Sequence, residues 1–366
     1  MREYLLSGLV AAAFTYLVMP VVRALALRVG AVARVRDRDV HDHAIPRWGG
    51  LGMFLGLLAG LVMASKLPMM RSVFEGSGEA LALVSGAAII VLLGLADDRW
   101  ELDAPTKMAG QVLAAGVMSL QGISILWLPI AGVLVLDPTT SVLLTVLIVL
   151  VSVNAINFVD GLDGLAAGIT AVSAAAFFVY AYLLSVQFGV ERATLSALVS
   201  ALLVGMCVGF LPHNAFPARL FMGDTGSMLI GYLMAASLIT LTGKVDPNAL
   251  DGTTLLPALL PIIVPLAVLA VPLIDLMLAV VRRTRAGRSP FAPDKQHLHH
   301  RLLEMGHSQR RAVLLLTAWA ALIATTSVLL AFVPPGYALL AAAGTALLLG
   351  AGVLWPAFRS DTDEPS

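Results

Sequence analysis

The sequence is short of charge. Only 13% of its 366 residues are Asp, Glu, Lys or Arg, against about 25% in an ordinary soluble domain. Its 23 basic residues balance 23 acidic ones, so there is no cationic excess to attract nucleic acid. Its single cysteine, Cys207, lies in an apolar stretch and excludes an internal disulfide; the residue reads as a small buried hydrophobe. Internal repeats, a soluble domain and low-complexity tracts are also missing, apart from a short acidic tail over residues 358–366. What fills the chain is apolar: 59% of residues are hydrophobic and mean hydropathy is +0.90. Such a chain cannot cover its surface with polar groups in water, and lipid is its natural solvent.

The first apolar run, Tyr4 to Leu27, is too long for a signal-peptide core and leads into arginines rather than a cleavage site. It reads as a retained first helix. A bilayer core takes about 20 apolar helical residues, and on that measure eleven spans are expected, near 4–27, 49–65, 80–96, 107–121, 139–153, 165–186, 193–211, 226–243, 254–281, 312–333 and 337–357. The fifth is short. The stretch Ile123–Asp137 before it is broken by Pro129 and reads as a re-entrant or surface segment. The fold expected is an all-α polytopic bundle, with residues 1–357 forming one catalytic domain. With the N-terminus outside, only Arg2, Lys66, Arg71, Arg192 and Lys244 of the 23 basic residues fall on the outer side, which fits the positive-inside rule. An odd number of spans then puts the C-terminus in the cytoplasm, together with the loops that carry the polar motifs.

Asp97 and Asp98 close the third span. Adjacent carboxylates at a membrane surface repel and call for a metal or a basic partner; Lys107 opens the next span one short loop later. In Asn154-Ala-Ile-Asn157-Phe-Val-Asp160-Gly-Leu-Asp163-Gly164, polar residues recur every three positions. On a helix that spacing keeps neighbours on one side, and such groups between apolar runs are costly unless they face a site. Asp224, in Phe221-Met-Gly-Asp-Thr-Gly-Ser227, is placed to cap or start the eighth span and offers a hard oxygen ligand. His297, His299, His300 and Arg301 follow Lys295 in the longest loop and make a compact anion site. Zinc is the alternative ligand for three histidines, but no cysteine or carboxylate completes a tetrahedral set. Arg282, Arg283, Arg285 and Arg288 read as topology charges facing anionic lipid. Asp275 is the only formal charge deep in a span; it reads either as a functional carboxylate or as half of an ion pair. In the first loop His41, Pro46, Arg47, Gly49 and Gly50 stand out, with Arg47 placed to meet a lipid phosphate.

Taken together and in this order, the Asp97-Asp98 pair, Asn154–Gly164, Phe221–Ser227 and His297–His300 resemble the polyprenyl-phosphate N-acetylhexosamine-1-phosphate transferases. The Gln-His-Leu-His-His-Arg form is similar to the WecA/TagO-like branch, which uses UDP-GlcNAc, more than to the MraY-like branch, which uses UDP-MurNAc-pentapeptide. The resemblance implies transfer of a sugar 1-phosphate to a membrane polyprenyl phosphate, releasing UMP. It also implies Mg²⁺, with Mn²⁺ as a substitute, and a bacterial plasma-membrane setting in cell-wall polysaccharide synthesis. By resemblance Asp224 is a metal ligand with Asn157 as a second, and Asp97 and Asp98 are the catalytic pair, with Asp160 and His299 in the same site. Lys107, Asn154, Asp163, His297, His300, Arg301 and Arg47 meet substrate, Asp163 near the uracil ring. Relatives often dimerise, so a homodimer is compatible with it. Asp39 stands where relatives commonly carry a lysine; Arg38 and Arg47 are the substitutes. The rival in another class is a secondary transporter, which would hold its polar groups near mid-bilayer in broken helices.

Overall fold

The computed structural model describes residues 1–32, 45–75, 78–128, 134–187, 193–242, 264, 266–267, 269–285, 287 and 298–360. The helices are α1 (Arg2–Val29), α2 (Gly49–Ser65), α3 (Arg71–Phe74), α4 (Glu79–Trp100), α5 (Ala104–Leu120), α6 (Pro138–Val159), α7 (Leu165–Gln187), α8 (Ala193–Asn214), α9 (Gly223–Thr242), α10 (Ala270–Arg285), α11 (Leu298–Glu304), α12 (Gln309–Phe332) and α13 (Pro335–Ser360). Among the described residues eight helices are long and apolar enough to cross a bilayer: α1, α4, α6, α7, α8, α9, α12 and α13. The chain is an all-α polytopic membrane protein. The apolar α2, at 17 residues, is shorter than these eight, and α5 is of the same length. The ninth expected span lies partly outside the described residues, and α10 covers its second half.

The helices begin and end on recognisable signals. Asp137 caps α6, its carboxylate accepting the Thr139 and Thr140 N–H groups at 3.0 and 3.1 Å, with Pro138 at the first position. Asp103 does the same for α5 through Thr106 N–H. Gly30 closes α1 in the left-handed conformation, φ 77°. The fifth span is longer than its sequence pattern suggests: α6 runs 22 residues to Val159. Asn154 and Asn157 therefore sit on its last turns, while Asp160 is only its C-cap and Asp163 lies beyond the helix. Between α5 and α6 the segment read as re-entrant holds a small antiparallel hairpin, Trp127–Leu128 (β1) with Leu134–Val135 (β2).

One half of the bundle is held by close backbone approach. Helix α1 is flanked by α2 and α8. A Cβ on Gly56 of α2 would meet Thr15 and Ala11 of α1, and one on Gly205 or Gly209 of α8 would run into the Gly8 or Ala12 backbone. In lipid there is little hydrophobic drive between helices, so small residues that allow such contact supply the packing. Helix α9 is the most enclosed element, its span fully buried among α2, α4, α6 and α8. Helix α10 packs on α6 and α12, and α13 lies at the edge on α12.

Candidate active site

Alternating helix directions bring the ends of α4 and α6 and the starts of α5 and α9 to the same end of the bundle, and the polar motifs meet there. The ammonium of Lys107 lies 2.5 Å from Asp97 Oδ2 and 2.7 Å from Asp224 Oδ2. From the opposite side Asn157 Nδ2 donates to Asp224 Oδ1 at 3.1 Å and to Ser227 Oγ at 2.8 Å. Asp97 also accepts the Leu102 N–H at 2.8 Å, which folds the α4–α5 turn back over it. One turn below runs a second rung: Asn154 Nδ2 donates to Gln111 Oε1 at 2.9 Å, and Gln111 Nε2 reaches Met228 Sδ at 3.4 Å. Lys107 and Gln111, Asp224 and Met228, and Asn154 and Asn157 are spaced four, four and three along their helices, so each rung uses the same three faces.

The two adjacent aspartates have different tasks. Asp98 accepts Asp224 N–H at 2.9 Å, Thr225 N–H at 3.2 Å and Thr225 Oγ–H at 2.6 Å. These are free donors of the first turn of α9, where negative charge is favoured. Asp98 is thus the cap of α9, supplied from another helix. Asp224, expected to cap or start that helix, lies at its start as the second residue, and the cap is Asp98. Gly223, at φ 69°, is glycine for two reasons: the conformation, and the Asp98 carboxylate that a Cβ would strike. Gly49 N–H and Gly50 N–H donate to Phe221 O and Met222 O, and Phe221 N–H donates to Pro46 O, so the end of the first loop is laced to the approach to α9.

Asp160 is half-buried beside this cluster. Burial, with the Asp224 and Asp98 carboxylates nearby, pushes its carboxyl up to about 8, and the Arg47 guanidinium opposes that rise. Arg47 is thus within electrostatic reach of Asp160. Asp163 is buried and accepts the Ala218 N–H at 2.9 Å, and Asn214 takes the Gly164 N–H at 3.0 Å while donating to Leu220 O. Both brace the α8–α9 loop. The His299 ring lies over Gly161, where a Cβ would come 2.5 Å from Cε1 and Nε2; His300 leans on it with ring centroids 4.3 Å apart. Arg301 is exposed. His297, Lys295, Arg38, Asp39 and His41 lie outside the described residues. Sequence reasoning passed over Gln111, Thr225 and Ser227, although Gln111 is one turn from Lys107 and Ser227 three residues from Asp224. It also read Arg283 as a lipid-facing charge, whereas Arg283 is 4% exposed, its guanidinium 5.1 Å from the Phe158 ring centroid.

Among the described residues no three His, Cys, Asp or Glu side chains gather on one metal position. Two carboxylates, Asp97 and Asp224, do converge on the Lys107 ammonium, and the Asn157 amide nitrogen rests on Asp224 beside them. That set fits Mg²⁺, which is held by one or two carboxylates with substrate phosphate and water completing the shell.

Fold and site define an integral membrane protein whose polar, cation-bearing centre lies at one end of its spans. Residues 80–242 match the family model described as glycosyl transferase family 4. The chain is similar to the decaprenyl-phosphate N-acetylglucosaminephosphotransferase of Mycolicibacterium smegmatis, 46% identical over 359 residues, 97% of this chain and 87% of the relative. The protein of that name from Mycobacterium tuberculosis is 45% identical over 368 residues, 99% and 91% of the two chains. The probable undecaprenyl-phosphate N-acetylglucosaminyl 1-phosphate transferase of Bacillus subtilis is 32% identical over 302 residues, 82% and 77%. The chain belongs to this family of polyprenyl-phosphate N-acetylhexosamine-1-phosphate transferases.

Proposed function

We propose that the protein transfers N-acetylglucosamine 1-phosphate from UDP-GlcNAc to a polyprenyl phosphate, giving polyprenyl-diphosphate-GlcNAc and UMP, at the cytoplasmic face of a bacterial plasma membrane. The observation that carries this reading is the convergence of Lys107, Asp97, Asn157 and Asp224 at one end of four helices. A transporter's polar groups would sit near mid-bilayer instead.

The acceptor is a phosphate monoester whose second pKa is about 6, so near neutral pH it is already nucleophilic. Little is gained from a strong base; the barrier lies in bringing two anions together and in the charge that builds on departing UMP. Lys107, held by two carboxylates, presents a fixed ammonium to the phosphates. Mg²⁺, when bound by Asp224, Asn157 and Asp97, supplies charge neutralisation at the diphosphate. His299 offers a ring nitrogen on the other side, beside Asp160, and Arg47 adds positive charge at the entry. Direct in-line attack by the lipid phosphate is favoured over an aspartyl-phosphate intermediate. Asp98 is engaged by three α9 donors and Asp97 by Lys107 and Leu102 N–H, and carboxylates so bonded are poor nucleophiles.

The experiment is UMP release on mixing the purified protein, Mg²⁺, UDP-GlcNAc and decaprenyl phosphate, with a panel of other UDP-sugars alongside. Release requiring both substrates and strongest with UDP-GlcNAc is expected. No release with any UDP-N-acetylhexosamine refutes the reading. A burst of UMP without lipid acceptor would replace direct attack by the covalent route.

A further inference from the structure

Asp275 is 2% exposed on α10, on a face it shares with Val271, Pro272, Ala279 and Arg283. It borders a small space walled by Val159, Ile169, Leu316 and other apolar side chains, with Asp275 and His299 the polar residues among the described lining. A carboxylate in such surroundings is costly unless donors meet it. Its Oδ1 accepts the N–H of Leu298 at 3.0 Å. Leu298 opens α11, and the next residue is His299, itself 3% exposed with its ring against Gly161. Hydrogen bonds from a backbone N–H to a carboxylate are among the stronger ones. Here the bond ties the amide that begins the Leu298–Glu304 helix to α10.

We propose that Asp275 is a positioning residue: by accepting the Leu298 N–H it sets the entry of α11 and so holds the His299 ring over Gly161, next to Asp160. This gives the carboxylate on α10 a structural task toward the site. It is an anchor for the histidine segment, acting on the reaction through His299. The proposal rests on His299 serving the transfer reaction, and its test separates that premise from the link itself.

The full-length protein in nanodiscs is compared as wild type, Asp275→Asn, Asp275→Leu, His299→Ala and the Asp275→Leu/His299→Ala double variant. UMP-release kinetics and backbone amide exchange over residues 298–304 are the readouts. Asp275→Leu is expected to speed exchange over 298–304 while leaving α4 and α9 unchanged. It should lower kcat about tenfold, the scale seen when a partner that orients a functional side chain is removed, with KM for UDP-GlcNAc nearly constant. Asp275→Asn keeps an oxygen acceptor and retains most activity. Adding Asp275→Leu to His299→Ala costs at most about twofold more, because residues acting through one another are not additive. Unchanged exchange in Asp275→Leu, a full multiplicative loss on the His299→Ala background, or an Asp275→Asn variant as impaired as Asp275→Leu overturns the proposal. If Asp275→Leu does not accumulate, Asp275→Thr, too short to reach Leu298, takes its place under the same criteria. Failure of the wild type to release UMP refutes the transferase reading, and the exchange data still decide the Asp275–Leu298 link.

Discussion

Two parts of this bundle are held together by opposite means. Around α1 the helices touch backbone to backbone, and glycines at Gly56, Gly205 and Gly209 make room. Around the start of α9 they are joined by side chains that cross between helices: Lys107 to Asp97 and Asp224, Asn157 to Asp224 and Ser227, Asp98 to the α9 amides. The first part is a scaffold in which volume decides. The second is a polar lattice whose Lys107–Asp224 pair is about 30% exposed, so that removing one charge changes the field of the site more than the stability of the fold. The proposed chemistry falls in the second.

The largest contrast should come from Asp224→Asn, which keeps shape and removes the charge shared by Lys107 and the proposed metal position. UMP release should fall about 10³-fold, the upper range for loss of a fixed electrostatic group, while the melting temperature in detergent changes little. Gly205→Leu tests the scaffold. Its Cβ would already strike the Gly8 backbone, so the protein should lose about 1–3 kcal/mol of stability, the usual cost of overpacking. The folded fraction should keep its specific activity, measured as turnover per folded molecule. If Gly205→Leu instead abolishes turnover in well-folded protein, the division between the two regions fails.

Much of this was readable beforehand. The apolar spans, the Asp97-Asp98 pair with Lys107 one loop away, and Asn154 and Asn157 on one helix face all follow from spacing, because both partners' geometry is local. What was not readable depends on tertiary approach. Nothing near Asp98 in the chain announces that it caps a helix 126 residues later, so the two aspartates looked equivalent. Asp224 reads as a cap or a first-turn residue, since Asp favours both positions; Asp98 takes the cap and leaves Asp224 the first turn. Gln111 was missed because a single amide in an apolar helix carries no distinctive pattern, and Ser227 was read only as the end of its motif. The turn that ends α6 at Val159 moved Asp160 and Asp163 off the helical face assumed for them, and Asp163 went to bracing Ala218.

A smaller effect distinguishes the paired aspartates. Asp98→Ala should cost about 0.5–2 kcal/mol, the value of a helix cap, read by thermal melting. Asp97→Ala should leave stability closer to wild type and cost more turnover. The smallest effect concerns Asp160. Between the ordinary carboxylate value of 3.8 and about 8 the folded chain holds a proton that the unfolded chain has released, so folding stability falls as pH rises through that window. In metal-free buffer, Asp160→Asn should flatten the decline of melting temperature between pH 5 and 8; an unchanged slope would show that the carboxyl is ionised throughout.

The central claim is that Lys107 and Asp224 act as one unit in sugar-phosphate transfer. The direct test is UMP release by Lys107→Met, Asp224→Asn and the double variant. The double variant should be no slower than the slower single one, because either change alone dismantles the shared centre. Losses that multiply, as for independent sites, would contradict it.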